Sequence, residues 1–347
     1  MNTVYHSITD TNTQSARNAL SDAARILREG GLVVFPTETV YGLGANALDA
    51  CAASKIYAAK GRPSDNPLIV HIAEPSEAEA LTETTALFYR LARAFMPGPL
   101  TVIMPKKPTV PDTVTAGLDT LAIRCPSHPV ARALIEAAGL PIAAPSANLS
   151  GSPSPTTAAH VRDDMMGRVD MIIDGGAAEV GVESTIVKIE NEDTLLLLRP
   201  GAVTKEDLEA LGVKVNVADA VLGALKEGEK VLSPGMKYRH YAPKAPLYLL
   251  DGDEEKRRKF LAEQKIRIAY LSYEEEGDAL SSLPLTLYCI GAKADAKTQA
   301  NRLFSVLREA DKEEYAAIYA PLPTLDGMGM ALYNRMIRAA AHQIIHL

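Results

Sequence analysis

Apolar residues in this chain come in short dense runs separated by amphipathic stretches, the pattern of strands alternating with helices. Residues 15–29 carry Ala16, Ala19, Leu20, Ala23 and Leu27 at helical spacing, and Gly30-Gly31 closes that helix. Residues 32–35 form an unbroken apolar run ended by Pro36, which reads as a buried strand. A short helix over about 48–59 precedes the loop Gly61-Arg62-Pro63-Ser64-Asp65-Asn66-Pro67, too rich in Gly and Pro to be regular. A second apolar strand, 68–72, is interrupted by His71. The pattern then predicts a helix over 77–95, strands at 100–104 and 121–123, a helix over 129–138 and a strand at 141–144. The Pro- and Ser-rich loop 145–155 leads to a helix at about 156–166 and a strand at about 169–173. Residues 184–189 and 194–198 read as an antiparallel pair joined through Asn191-Glu192-Asp193. Several strands adjoin without a helix between them, so the sheet is expected to be mixed.

Beyond the Pro-rich, basic and aromatic stretch 233–246, strands at 247–250, 266–271, 285–290 and 316–320 alternate with helices at about 254–264, 295–310 and 328–343. The expected class is α/β: a mixed, twisted open sheet with helices, followed by a smaller Rossmann-like βαβ domain. The expected division is 1–205 for the first domain, 206–246 for a linker and 247–347 for the second.

Composition narrows what such a chain can do. At 347 residues it has room for two domains, since one takes about 100–200. The net charge of -7 argues against coating nucleic acid by bulk electrostatics, so any anionic ligand must meet a local cluster of cations. Aromatic content of 5% with no Trp argues against broad stacking on bases. Cys51, Cys125 and Cys289 fit no metal or redox spacing, as in a protein of a reducing compartment. The polar opening stretch lacks the apolar core of a signal peptide, and no uncharged run approaches the ~20 residues of a membrane helix. A soluble, cytoplasmic protein is expected.

Gly42-Leu43-Gly44-Ala45-Asn46-Ala47 matches a dinucleotide fingerprint, but a polar stretch with Pro36 and two threonines separates it from the apolar run. In that fingerprint the glycines follow the strand directly, which argues against a nicotinamide or flavin cofactor. Lys60, Arg62 and Asn66 lie in or beside a loop stiffened by Pro63 and Pro67, a setting suited to phosphate. Ser146 and Asn148 follow a strand end, where open α/β sheets place ligands. Arg124, Ser184 and Arg199 also lie at strand ends. There is no P-loop, no HxxxH and no carboxylate-rich metal cluster, so no protein-held metal is expected.

FPTETVYGLG, the KGRPSDNPL loop with His71 after it, MPGPLT, LAIRCP, PSANLSG, ESTIV and LLRPG occur in this order, and SPGMKYRHYAP follows. This set resembles the YrdC-domain family in its long form, the threonylcarbamoyl-AMP synthases with an extra carboxy-terminal domain. The resemblance implies ATP-dependent conversion of L-threonine and bicarbonate to L-threonylcarbamoyladenylate, with Mg2+ carried by the ATP. Other proteins would pass that product to an adenosine in tRNA, and contact of this chain with tRNA is not implied by its charge.

Carried over, the family pattern makes Lys60 and Arg62 catalytic. Arg62, Asn66, Thr120, Ser146, Asn148, Ser154, Arg199 and Tyr238 become ATP contacts, and Thr39, His71, Arg124, Ser184 and the backbone of Ala144 the threonine pocket. Thr37 stands as an alternative to Thr39. Arg124 is expected to pair with the substrate carboxylate, and the segment around Tyr238 to fold over the cleft as a lid. The competing reading is a non-catalytic RNA-binding member of the same fold.

Overall fold

The computed structural model describes residues 2–223 and 240–347. Eleven strands of the first sheet run, in chain order, as β1 (Val4–Ser7), β2 (Val33–Phe35), β3 (Gly42–Asn46), β4 (Ile69–His71), β5 (Leu100–Pro105) and β6 (Thr120–Arg124). They continue as β7 (Ile142–Ala144), β8 (Met171–Asp174), β9 (Thr185–Asn191), β10 (Thr194–Arg199) and β11 (Lys214–Val217). Their spatial order is β1-β8-β2-β3-β7-β4-β6-β5-β9-β10-β11. Parallel pairs such as β4 with β6 alternate with antiparallel ones such as β5 with β6, so the sheet is mixed. The second sheet holds β12 (Leu247–Asp251), β13 (Ile268–Tyr273), β14 (Thr286–Gly291), β15 (Ala317–Pro321) and β16 (Ile344–His346) in the order β14-β13-β15-β12-β16, all parallel. Apolar side chains pack on both of its faces: Leu249 and Leu271 on one, Leu250 and Tyr270 on the other.

Local chemistry fixes the helix that opens toward the site. Asp49 caps Ala50–Lys60 by accepting from the amides of Cys51 and Ala52, and Gly61 ends it in the left-handed region at φ 61°. That stop leaves Lys60 as the last helical residue.

Two local expectations are corrected, and one strand was not anticipated. The continuous helix over 77–95 is instead a 3-10 turn, Pro75–Ala80, and a separate helix, Ala86–Phe95. Thr85 breaks it by turning its hydroxyl to the amide of Phe88 as a fresh N-cap. The glycines of the fingerprint match lie in β3, paired antiparallel to β2, not at a helix start. A Cβ at Gly44 would sit 2.7 Å from Ile142 Cγ2 and 2.8 Å from Phe35, so these glycines serve close packing. Residues 206–223, expected within a linker, contain β11, which pairs with β10 as the last strand of the first sheet. No helix among the described residues is long and apolar enough to cross a membrane.

Candidate active site

Adjacent parallel strands β4 and β6 end on His71 and Arg124, which stand opposite each other in register. The turn after β2 and the loop after β7 face them, the latter anchored by a bridge between Gly42 and Ser146. Thr37, Arg62, His71, Arg124, Ser146, Asn148, Glu183 and Arg199 border one cleft, together with His240 and Tyr241.

Each cation is held by hydrogen bonds, local in the chain for Arg62 and long-range for Lys60 and Arg124. Arg62 donates to the carbonyls of Asn66 (3.1 Å) and Pro67 (3.2 Å) and lies 5.9 Å above the Tyr57 ring, so the Pro-stiffened loop wraps its own guanidinium. Lys60 does not border the cleft. Its ammonium donates to the Ser146 carbonyl, the Asn148 carbonyl (2.7 Å) and Asn148 Oδ1 (3.3 Å), tying down the loop that does. Burial, and after it the Arg62 charge, hold the Lys60 ammonium well below its ordinary pKa. Ser146 Oγ donates to Asn148 Oδ1 at 2.5 Å, and Asn148 Nδ2 donates to Leu149 and Ser152 carbonyls.

Arg124 is paired already: its Nη2 donates to Glu38 Oε1 at 2.6 Å, and both side chains are buried. Its Nε is buried and makes no hydrogen bond. His71 Nδ1 is in the same condition. Burial, then the Arg124 charge, push His71 down to about 3, so its imidazole is neutral. Arg199 donates to the Ser184 carbonyl (3.0 Å) and Ser184 Oγ (3.1 Å), and Ser184 Oγ also meets Thr101 Oγ1 at 2.7 Å. Burial lowers the Arg199 guanidinium to about 10.

The predicted residues do not all converge. Thr37 borders the cleft, while the buried Thr39 hydroxyl meets Thr37 Oγ1 at 2.9 Å. Ala144 ends β7 beside Ile69 of β4. Asn66 is wholly buried with both amide atoms unbonded, yet it lies outside the cleft's lining. Thr120 opens β6 at the end opposite Arg124 and also lies outside it. Ser154 reaches the site through Glu183, whose Oε1 accepts its hydroxyl. Tyr238 falls outside the described residues.

Sequence reasoning assigned no site role to Glu38 or Glu183, because each carboxylate takes its meaning from a partner distant in the chain. His240 and Tyr241, in the stretch expected to cover the cleft, border it directly. Tyr241 takes a left-handed backbone (φ 64°) and stacks 5.1 Å from Phe304 of the second domain. Burial, then the cations Arg62 and Arg338, lower His240 to about 3, so it too is neutral.

A family model described as "Telomere recombination", covering the Sua5, YciO and YrdC proteins, matches residues 25–201. A second, described as "Threonylcarbamoyl-AMP synthase, C-terminal domain", matches residues 203–341. The threonylcarbamoyl-AMP synthase of Bacillus subtilis is 47% identical over 94% of this chain and 94% of its own. That of Pyrococcus abyssi is 44% identical over 93% of this chain and 94% of its own. A crystal structure of P. abyssi Sua5 complexed with L-threonine superposes over 100% of both chains with a TM-score of 0.88, at 39% identity over that longer alignment. Two family models in tandem and full-length relatives lead to one conclusion: this chain belongs to the threonylcarbamoyl-AMP synthase family, in its two-domain form.

Proposed function

We propose that this cleft is where the chain, as a member of that family, joins L-threonine, bicarbonate and ATP into L-threonylcarbamoyladenylate and pyrophosphate. The observation that carries the reading is a set of unsatisfied polar atoms. His71 Nδ1, Arg124 Nε and His240 Nε2 are buried, make no hydrogen bond, and belong to residues that border the same cleft. Each such atom costs about 1–3 kcal/mol unless a ligand meets it, so three on one cleft point to a polar substrate.

In this reading L-threonine lies by His71, Arg124, Ser184 and the Ala144 backbone. The substrate carboxylate takes the free Nε edge of Arg124 while Nη2 stays with Glu38. Neutral His71 offers a ring nitrogen to the amine or hydroxyl, and Thr39 orients Thr37 toward the substrate. ATP lies along Arg62, Ser146, Asn148 and Arg199, with Lys60 and Ser154 holding that wall from behind.

Bicarbonate takes up a proton and loses water to give CO2, and the threonine amine adds to that carbon and releases a proton, giving a carbamate. Its oxygen then bonds to the α-phosphorus as the bond to the bridging oxygen breaks and pyrophosphate leaves. A carbamate is already anionic, so positioning and charge stabilisation suffice and no protein nucleophile is needed. Mg2+ would arrive with the triphosphate, held by phosphate oxygens and water. Among the described residues no group of three or more His, Cys, Asp and Glu could hold it, and Glu183 is committed to Arg335 and Ser154. The adenylate would pass to proteins that modify an adenosine in tRNA. The RNA-binding alternative is not favoured: Arg62, Arg124 and Arg199 are buried, out of reach of a nucleic-acid backbone.

The test is ATP consumption with and without L-threonine and bicarbonate, with mass analysis of the product. Arg62→Ala is expected to lower turnover by about 10²–10³-fold by removing charge at the phosphates. Lys60→Ala should act similarly by releasing the Ser146–Asn148 loop. Near-normal turnover in Arg62→Ala would sink the assignment of this wall to ATP.

A further inference from the structure

Glu183 places a negative charge on a cleft whose proposed substrates are anions, and the second domain is what answers it. Arg335, on the helix Gly327–Ala339, is fully buried, and its Nε donates to Glu183 Oε2 at 2.9 Å. The same guanidinium donates to the Pro200 carbonyl (2.6 Å) and the Glu183 carbonyl (3.0 Å). Glu183 and Pro200 directly flank Ser184 and Arg199, which bond to each other. One side chain of the second domain therefore pins the two chain segments that carry Ser184 and Arg199. Asn334 keeps the guanidinium in place, accepting from it at 3.1 Å while donating to the Val221 carbonyl at 2.8 Å.

We propose that Arg335 is a positioning residue for adenylate formation, supplied to the first domain's site by the second: it cancels the Glu183 charge beside the ATP wall and fixes Ser184 and Arg199 in register. This rests on the assignment of the cleft to ATP and threonine. It goes further in giving the carboxy-terminal domain a part in the site's electrostatics. A carboxylate under this domain has lost water as its partner, so the domain that covers Glu183 must also bring its counter-charge.

The groups facing Glu183 are Arg335 from the second domain, Arg199 at the end of β10, Lys60 at its helix end, and His240 with Tyr241 after the linker. Burial pushes the Glu183 carboxyl up. Arg335 and then Arg199, with the Ser154 hydroxyl, more than offset that and hold it below its ordinary value. Without Arg335 the burial effect has less to oppose it.

The experiment compares full-length wild type, Arg335→Met, Arg335→Lys and the double variant Glu183→Gln/Arg335→Met, reading KM for ATP and kcat from pH 6 to 8. Arg335→Met is expected to raise the ATP KM at least tenfold at pH 8. The defect should shrink toward pH 6 as the orphaned carboxylate takes up a proton. His240, held at about 3, does not titrate in that window. The double variant should recover most of the affinity and lose that pH dependence, and Arg335→Lys should fall between. An unchanged ATP KM in Arg335→Met overturns the proposal. So does a double variant as impaired as the single one, which would mean plain packing. If Arg335→Met does not fold, the double variant decides: folded and near wild type supports the role, unfolded refutes it. Arg62→Ala run in parallel separates the two levels. Normal turnover there removes the site reading itself, whereas its loss with an unaltered Arg335→Met removes only this inference.

Discussion

Arg124→Met separates two tasks carried by one guanidinium. In the structure Nη2 is 2.6 Å from Glu38 Oε1, with the two side chains only 5% and 6% exposed. The other Glu38 oxygen accepts from the Ser127 amide at 3.2 Å, so the carboxylate has nowhere to turn. Removing the cation strands a buried charge, at a cost of about 3–5 kcal/mol. At roughly 2–4 °C per kcal/mol for a domain of this size, Tm should fall by about 6–20 °C. In the proposed threonine pocket the same change removes a charge-assisted contact worth about 2–3 kcal/mol, or about a 30- to 150-fold rise in threonine KM. The ATP KM should move less than about threefold, because in that reading the Nε edge is given to the amino acid. Adding Glu38→Gln separates the effects: stability should largely return, since the stranded charge is gone, while threonine affinity should not. Thermal unfolding by circular dichroism and pyrophosphate release with threonine titrated at saturating ATP measure the two quantities. The reasoning fails if the double variant binds threonine within about threefold of wild type, or if ATP affinity suffers in its place.

Two further outcomes follow from the structure. His71 is buried neutral with a folded-state pKa of about 3 against an ordinary 6.5, so its contribution to stability is whole above pH 6.5 and is lost as pH falls toward 3. The loss amounts to about 4–5 kcal/mol at 1.36 per unit, and His71→Gln should make the fall in urea-derived stability between those pH values less steep, with His240, also held at about 3, supplying part of what remains; an unaltered slope contradicts the assignment. Gly44→Ala should cost about 1–3 kcal/mol, because its Cβ meets Ile142 at 2.7 Å and Phe35 at 2.8 Å, and an unchanged Tm would mean β2, β3 and β7 repack freely.

Where local chemistry decides structure, the sequence was enough to read it. The apolar run ended by Pro36, the helix stopped by Gly61 and the helix Pro129–Ala138 ended by Gly139 all stand close to where pattern and capping put them. So does the antiparallel pair of β9 and β10. Each depends on residues within a turn or two of itself. β3 was not legible, because Gly and Ala carry little strand preference and the segment is a strand by virtue of β2 and β7 on either side. The break at Thr85 was hidden because apolar periodicity continues across it, while one hydroxyl captures a backbone amide.

The site divides in the same way. The chemical inventory could be read along the chain: cations, hydroxyls and amides at strand ends and in a Pro-stiffened loop, within an ordered set of motifs specific enough to indicate the family. Which group partners which is a matter of the fold. Lys60 serves the Ser146–Asn148 loop, Arg124 answers Glu38, and Glu183 meets an arginine 152 residues away on another domain. The physical reason is that a charge acts through space and through the water it has lost. Neither the partner nor the burial of a carboxylate is written in its neighbours along the chain, and both are set when the second domain closes over the first.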